Sequence, residues 1–270
     1  MGFKIISSLN ILLLLVAISQ SGAILDPHYY DKTCPQAENI INQAIRNATK
    51  YDPKVPSYSE NSCPKTVSCA DIIAIAARDV VVLSGGPNWS VLKGRKDGRI
   101  SRANETINLP APSSNTSQLI QSFSQRGLSA KDLVALSGGH TLGFSHCSSF
   151  EARLRNFSST HDSDPTLNPQ FAAGLKSKCP KPNTDRNAGQ FLDSTSSVFD
   201  NDYYRRVVGG KGVFVSDQSL LGDYRDEVDG RGVCEDQGLF FGEFARAMVR
   251  LGSVGVVENG EVRKNCRVVN

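Results

Sequence analysis

Apolar residues recur three and four apart in several separate stretches of this chain and rarely alternate, so the pattern predicts a mostly helical protein. Over 35–51, Ala37, Ile40, Ile41, Ala44 and Ile45 line one face, which makes a helix that starts after a turn at Thr33 or Cys34. The run 70–83 is apolar nearly all round, which predicts a buried helix stopped by Gly85, Gly86 and Pro87. Residues 51–65 are rich in proline and serine and read as a loop, and 88–114 are turn-rich, with GRKDGR at 94–99 expected at the surface. Another helix is expected over 116–125. Asp132, Leu133, Ala135 and Leu136 then suit a short amphipathic helix opened by Ser129 and ended by Gly138 and Gly139. Short helices follow over 168–178, 200–208 and 217–221. A last one, 238–251, places Leu239, Phe240, Phe244, Met248 and Leu251 on a stripe. There is no internal repeat.

At 270 residues the chain is long enough for one sizeable core. Lys4 precedes an apolar run, and Ser21, Gly22 and Ala23 are small, so 1–23 reads as a cleaved secretory signal and 24–270 as a single domain. The uninterrupted apolar run is shorter than the ~20 residues a membrane span needs, so no membrane contact is expected after cleavage. A net charge of +3 without a polybasic run argues against nucleic acid as a partner. Cysteines at 34, 63, 69, 147, 179, 234 and 266, with Asn-x-Ser/Thr sequons at Asn47, Asn88, Asn104, Asn115 and Asn156, fit an oxidising secretory route and an extracellular or cell-wall glycoprotein. Spacing alone does not pair the cysteines.

The stretch 132–147, DLVALSGGHTLGFSHC, carries the candidate chemistry. His140 follows two glycines, and residues without a Cβ let a backbone approach a large flat ligand closely. The plainer reading is a buried histidine bonded to a carbonyl. His140 with His146 and Cys147 as metal ligands is a weaker alternative, because a fourth ligand is lacking.

SGGHTLG within that stretch resembles the proximal haem-ligand segment of the secreted plant peroxidases, the class III haem peroxidases. YYDKTCPQAE at 29–38, CPKTVSCADIIAIAARD at 63–79, GRKDGR, NLPAP at 108–112, FDNDYY at 199–204 and NCRVVN at 265–270 resemble the same family's landmarks, in its order. The resemblance implies a mostly α haem-peroxidase fold, truncated in its distal half, that oxidises small phenolic donors with hydrogen peroxide as a monomer. It implies haem b held by His140, with Asp217 accepting from the other imidazole nitrogen. It implies one proximal Ca2+ site made by Thr141, Asp193, Thr195, the Val198 carbonyl and Asp200. That block, DSTSSVFD, offers the carboxylates, hydroxyls and carbonyls calcium takes. The family spaces the first Asp and the Thr three apart and here they are two apart, so Ser196 is an alternative to Thr195. Pro110 matches the edge where donors approach. The implied disulfides are Cys34 with Cys63, Cys69 with Cys266, and Cys147 with Cys179, leaving Cys234 over.

One part of the family pattern is missing. The distal histidine and arginine, on an Arg-x-x-Phe-His-Asp-Cys helix, lie in the family between the counterparts of Cys34 and Cys63, and residues 35–62 contain no histidine. DPKVP at 52–56 resembles the lead into that helix and passes directly to SYSENSCPKT. The distal base, its arginine, a second calcium site and one disulfide are therefore expected to be absent, and no residue here is assigned to distal catalysis. The alternative function is a secreted, non-catalytic haem- or calcium-binding or interaction protein. The run 226–234, DEVDGRGVC, also breaks the expected apolar stripe. Reading one permissible coding a base later restores it, which points to a local frame shift with Cys234 as its product.

Overall fold

Caps convert the apolar stripes into helices at defined positions. The computed structural model describes residues 25–51, 63–182, 185–223 and 230–270; the expected leader, the stretch 52–62 and the beginning of the 226–234 run lie outside the described residues. Helix α1 is Ala37–Tyr51. Helix α2, Cys69–Leu83, starts at Ser68, whose side chain accepts from Asp71 N–H at 3.2 Å. Helix α3, Thr116–Ser124, opens with a capping box between Asn115 and Gln118. Helix α4, Ala130–Ser137, opens with another between Ser129 and Asp132, so it begins before Asp132. Helices α5 (Pro169–Lys178), α6 (Asp202–Val208), α7 (Val215–Asp223), α8 (Gly230–Glu235) and α9 (Gln237–Leu251) follow.

A two-stranded antiparallel ribbon, β1 Phe144–His146 against β2 Gly189–Phe191, pairs Phe144 with Phe191 and His146 with Gly189. Strands of three residues carry no readable alternation, so the pattern along the chain did not announce them.

The main core forms where α9 lies along α4 and where α3 joins α4 to α7. It holds Ile75, Leu119, Leu133, Val134, Tyr203, Tyr204, Leu220, Phe240 and Phe244. Phe199 stacks on Phe240 at 5.4 Å and meets Phe244 edge-on at 4.8 Å. A second cluster, with Phe150, Leu154, Leu175 and Val213, surrounds the Cys147–Cys179 disulfide. The other disulfides are Cys34–Cys63 and Cys69–Cys266, and Cys234 is a free, half-buried thiol. Helix α8 does form in the run whose stripe was broken: Val233 is buried, and the Asn201 side-chain amide donates to the Val233 and Cys234 carbonyls.

Two expectations are corrected. The GRKDGR segment is not a surface cluster. Arg95 pairs with buried Asp71 at 2.8 Å and donates to the Gly252 carbonyl, while the Asp97 carboxylate accepts the Cys69 and Ala70 N–H groups. An opposite charge offsets the burial of Asp71, and backbone N–H groups from distant parts of the chain satisfy Asp97. Helix α2, in turn, is not buried all round: Ile73 is 67% exposed and Val80 40%.

Candidate active site

His140 sits in a 3-10 turn, Gly138–Thr141, that continues directly from α4. A Cβ on Gly138 would lie 2.4 Å from both the Phe240 ring and the Tyr204 hydroxyl, so only glycine lets α4 end this tightly against α6 and α9. His140 Nδ1 is 2.8 Å from Asp217 Oδ1, across 77 residues of sequence. Asp217, 2% exposed, stands in the first turn of α7; its Oδ2 accepts Phe214 N–H at 2.9 Å and its Oδ1 accepts the Tyr203 hydroxyl at 3.2 Å. The Phe214 and Tyr203 rings meet the imidazole edge-on at 5.3 and 6.0 Å. The carboxylate and the two rings fix the ring plane and leave Nε2 as the outward nitrogen.

The imidazole side chain is 41% exposed and opens on a cleft of about 410 Å³. Pro110, Pro112, Leu119 and Phe123 of α3, Leu136 and Phe214 line it together with His140. Burial disfavours the imidazolium, but the Asp217 hydrogen bond and charge outweigh it and raise the His140 pKa above its ordinary value. Burial, then the nearby Asp217 charge, push the Tyr203 phenol far up, so it stays a donor. No other histidine or arginine lines this cleft among the described residues. His28 pairs with Asp31 in solvent, His161 bonds Thr160 on the surface, and His146 stands on β1 against Phe144.

Next to His140, Thr141 is fully buried, and its hydroxyl is 2.5 Å from Asp193 Oδ2 and 3.3 Å from Asp200 Oδ1. The Thr195 hydroxyl reaches the same two carboxylates at 3.4 and 3.1 Å. Ser196 instead accepts Gly143 N–H at its carbonyl, and exposed Val198 donates its N–H to the Thr195 carbonyl at 2.6 Å. Burial first, then the charges of Asp200 and Asp202, raise the Asp193 pKa. Among the described residues no group of three or more His, Cys, Asp or Glu could hold a metal, so any cation here depends on hydroxyl and carbonyl oxygens as well. The alternative of His140, His146 and Cys147 as ligands is corrected: Cys147 is oxidised in its disulfide and has no thiolate to give.

Sequence reasoning missed Arg153. It is 1% exposed, and its guanidinium bonds Asp164 and the carbonyls of Gly212, Val213 and Phe214. An arginine in EARLRNF gives no sign of burial, because the three carbonyls that receive it lie about sixty residues away and Asp164 reaches it only through the fold of the intervening turns.

A family model described as peroxidase matches residues 20–229. Peroxidase 66 of Arabidopsis thaliana is 54% identical over 307 aligned positions, covering 95% of this chain and 95% of that protein. Peroxidase 64 of the same plant is 43% identical over 312 positions, covering 97% and 98%. Peroxidase 5 of Vitis vinifera is 47% identical over 253 positions, covering 92% of this chain and 77% of that protein. Together with the mostly helical architecture, these matches define the class as haem peroxidase, an oxidoreductase that in general binds haem and calcium. Within that class the chain belongs to the plant class III peroxidase family.

Proposed function

We propose that this chain binds haem b through His140 Nε2 and oxidises small phenolic donors at the expense of hydrogen peroxide, at a rate far below that of a peroxidase with a complete distal side. The carrying observation is the His140–Asp217 pair, 2.8 Å apart, lining a largely apolar cleft. These residues fit haem on one face. The cleft lies within the ~300–1,000 Å³ usual for small-molecule sites, its lining is largely apolar, and the imidazole presents a free nitrogen backed by a carboxylate. When bound, haem supplies one-electron oxidation driven by peroxide. The protein's part is to hold the ring, exclude water from its His140 face, and keep the Nδ1 proton on the Asp217 hydrogen bond, which makes Nε2 a stronger donor. Pro110 stands at the rim where a phenol would enter.

The low rate follows from what the cleft lacks among the described residues. Peroxide cleavage needs a base to move a proton and a cation to receive charge, and loss of a positioned base costs roughly 10²–10⁴ in rate. The relatives support a missing segment: an alignment of 307 positions laid on a chain of 270 leaves at least 37 positions with no residue here. That lack favours, as a second reading, a non-catalytic haem- or calcium-binding protein.

Thr141, Asp193, Thr195 and Asp200, with backbone carbonyls including that of Val198, form the proposed calcium site. The Asp193 and Asp200 carboxylates gathered around the buried Thr141 hydroxyl, with burial and neighbouring charge disfavouring the Asp193 carboxylate, suit a bound cation. Thr195 fits better than Ser196 because its hydroxyl already faces both carboxylates. The expected leader, the cysteine usage and the secreted habit of class III relatives support export to the cell exterior or wall.

The test is hemin titration of the purified protein. A Soret band that develops in the wild type and is lost in His140→Ala supports haem binding; no band in either overturns it. Turnover of a phenol with peroxide then separates a slow enzyme from a non-catalytic binder.

A further inference from the structure

Arg153 is among the largest fully buried side chains of the molecule, and a fully buried arginine needs a reason. It sits at the end of a short 3-10 turn, Glu151–Arg153, and does not itself line the cleft. Its Nε donates to Asp164 Oδ2 at 2.8 Å, and its Nη2 reaches Thr166 Oγ1 at 3.4 Å. Asp164 is itself locked, accepting the Thr166 N–H at 2.9 Å and hydroxyl at 2.6 Å. The guanidinium plane is thereby set before its last nitrogen is used.

That nitrogen, Nη1, donates to three consecutive carbonyls, Gly212 at 2.6 Å, Val213 at 2.9 Å and Phe214 at 2.9 Å. Three successive carbonyls turned to one point is a conformation a free loop would not hold, because their dipoles repel without a cation at the centre. The loop they belong to leads straight into α7. From it, Phe214 sends its N–H to Asp217 Oδ2 and its ring to the edge of His140, and Asp217 Oδ1 takes His140 Nδ1. The Phe214 contacts to Asp217 and to the imidazole start from backbone the guanidinium gathers, with Gln218 Oε1 also accepting the Gly212 N–H and the Tyr203 hydroxyl holding Asp217 from α6. The Asp217 charge is also felt at Arg153, where it offsets part of the penalty of burying the cation.

We infer that Arg153 is a positioning residue for the His140–Asp217 pair: it clamps the 212–214 carbonyls so that the Asp217 carboxylate and the Phe214 ring meet the imidazole in one arrangement. This inference rests on the proposed role of His140 for its meaning in catalysis, but not for its test. Removing the clamp lets α7 start with more than one loop geometry, and the His140 Nδ1 proton loses its single acceptor.

The experiment reads the imidazole in the metal-free protein at one fixed pH. Nitrogen-15 NMR of histidine-labelled wild type should show His140 in the Nδ1–H tautomer with a slowly exchanging proton. In Arg153→Met that proton should exchange about tenfold faster or more, with a mixture of tautomers. Arg153→Lys keeps the charge but cannot serve Asp164 and the carbonyls together, and should fall between. If Arg153→Met does not fold, the lysine variant decides: faster exchange than wild type supports the clamp, and an unchanged rate overturns it. A variant that is less stable to urea but keeps the wild-type tautomer and exchange rate shows Arg153 to be structural only and also overturns it. Hemin titration of the same samples separates the two claims. A wild type that binds no haem removes the proposed cofactor role while leaving the clamp result standing.

Discussion

Around His140 polar groups and rings close on one another, whereas along the outer face of α2 they do not. Asp217 divides its oxygens among an imidazole, a backbone N–H and a phenol, and is almost fully buried in doing so. On α2, Ile73 is 67% exposed and Val80, two turns on along the same face, 40%, and at the buried side Asp79 keeps one carboxylate oxygen without a partner among the described residues. The α2 sequence is nearly as apolar as a core helix, yet only part of it is used as core. A helix can therefore persist on capping, on one packed face and on its disulfide while its other face is uncovered. The peroxidase family signature survives on both sides, but among the described residues the polar groups close on one another around His140 and not along the outer face of α2.

Three changes would break or sharpen this contrast, in descending size. The first concerns the cross-links of the α2 side. Replacing Cys69 and Cys266 by serine opens a closure of 197 residues and should cost about 5 kcal/mol in the chain-entropy account. Replacing Cys34 and Cys63, separated by 29, should cost about 3.6 kcal/mol on the same account. Urea midpoints of the two double variants measure the difference, and equal losses would mean that chain entropy is not what holds α2.

The second compares two isoleucines of α2. Ile75 is fully buried, so Ile75→Ala should cost about 2–5 kcal/mol, whereas Ile73→Ala should change stability by no more than about 0.5 kcal/mol. A large loss at Ile73 in urea unfolding would show that its face is covered in solution.

The third uses protons and calcium. Burial opposes the Asp132 and Asp164 charges, but hydrogen bonds and a facing arginine hold both pKa values below the ordinary carboxylate value. Carboxylates lowered in the fold contribute stability that is present above their unfolded pKa and lost as pH falls through the folded one, so the urea midpoint should decline below about pH 4. Asp193 has the opposite sign. Its raised pKa contributes stability at low pH that is lost as pH rises through the folded value. Millimolar calcium at neutral pH should restore that loss and raise the midpoint. An unchanged midpoint in Asp193→Asn and wild type alike would remove the cation site.

Much of the fold was legible in the chain. Ser129 and Asp132 signal the start of α4, and Phe240 and Phe244 mark the buried face of α9, because caps and helical stripes are local physics. His140 was legible as a candidate from its two glycines, and its partner only through resemblance, since Asp217 is 77 residues away. The burial of Arg95 and Arg153 was not legible. Whether a charge is buried depends on which distant carboxylate or carbonyl meets it, and a linear pattern contains no such information.

By itself, then, the sequence determined most of the helices, the Ser129 cap, the family and the histidine at the end of α4, all properties carried by short runs of residues. Tertiary structure alone decided that Asp217, Tyr203 and Phe214 converge on that histidine, that Arg153 clamps the loop behind them, and that one face of α2 faces solvent. The physical reason is range. Propensity and capping act within a turn of helix, whereas desolvation, ion pairing and packing are set by neighbours that only folding brings together.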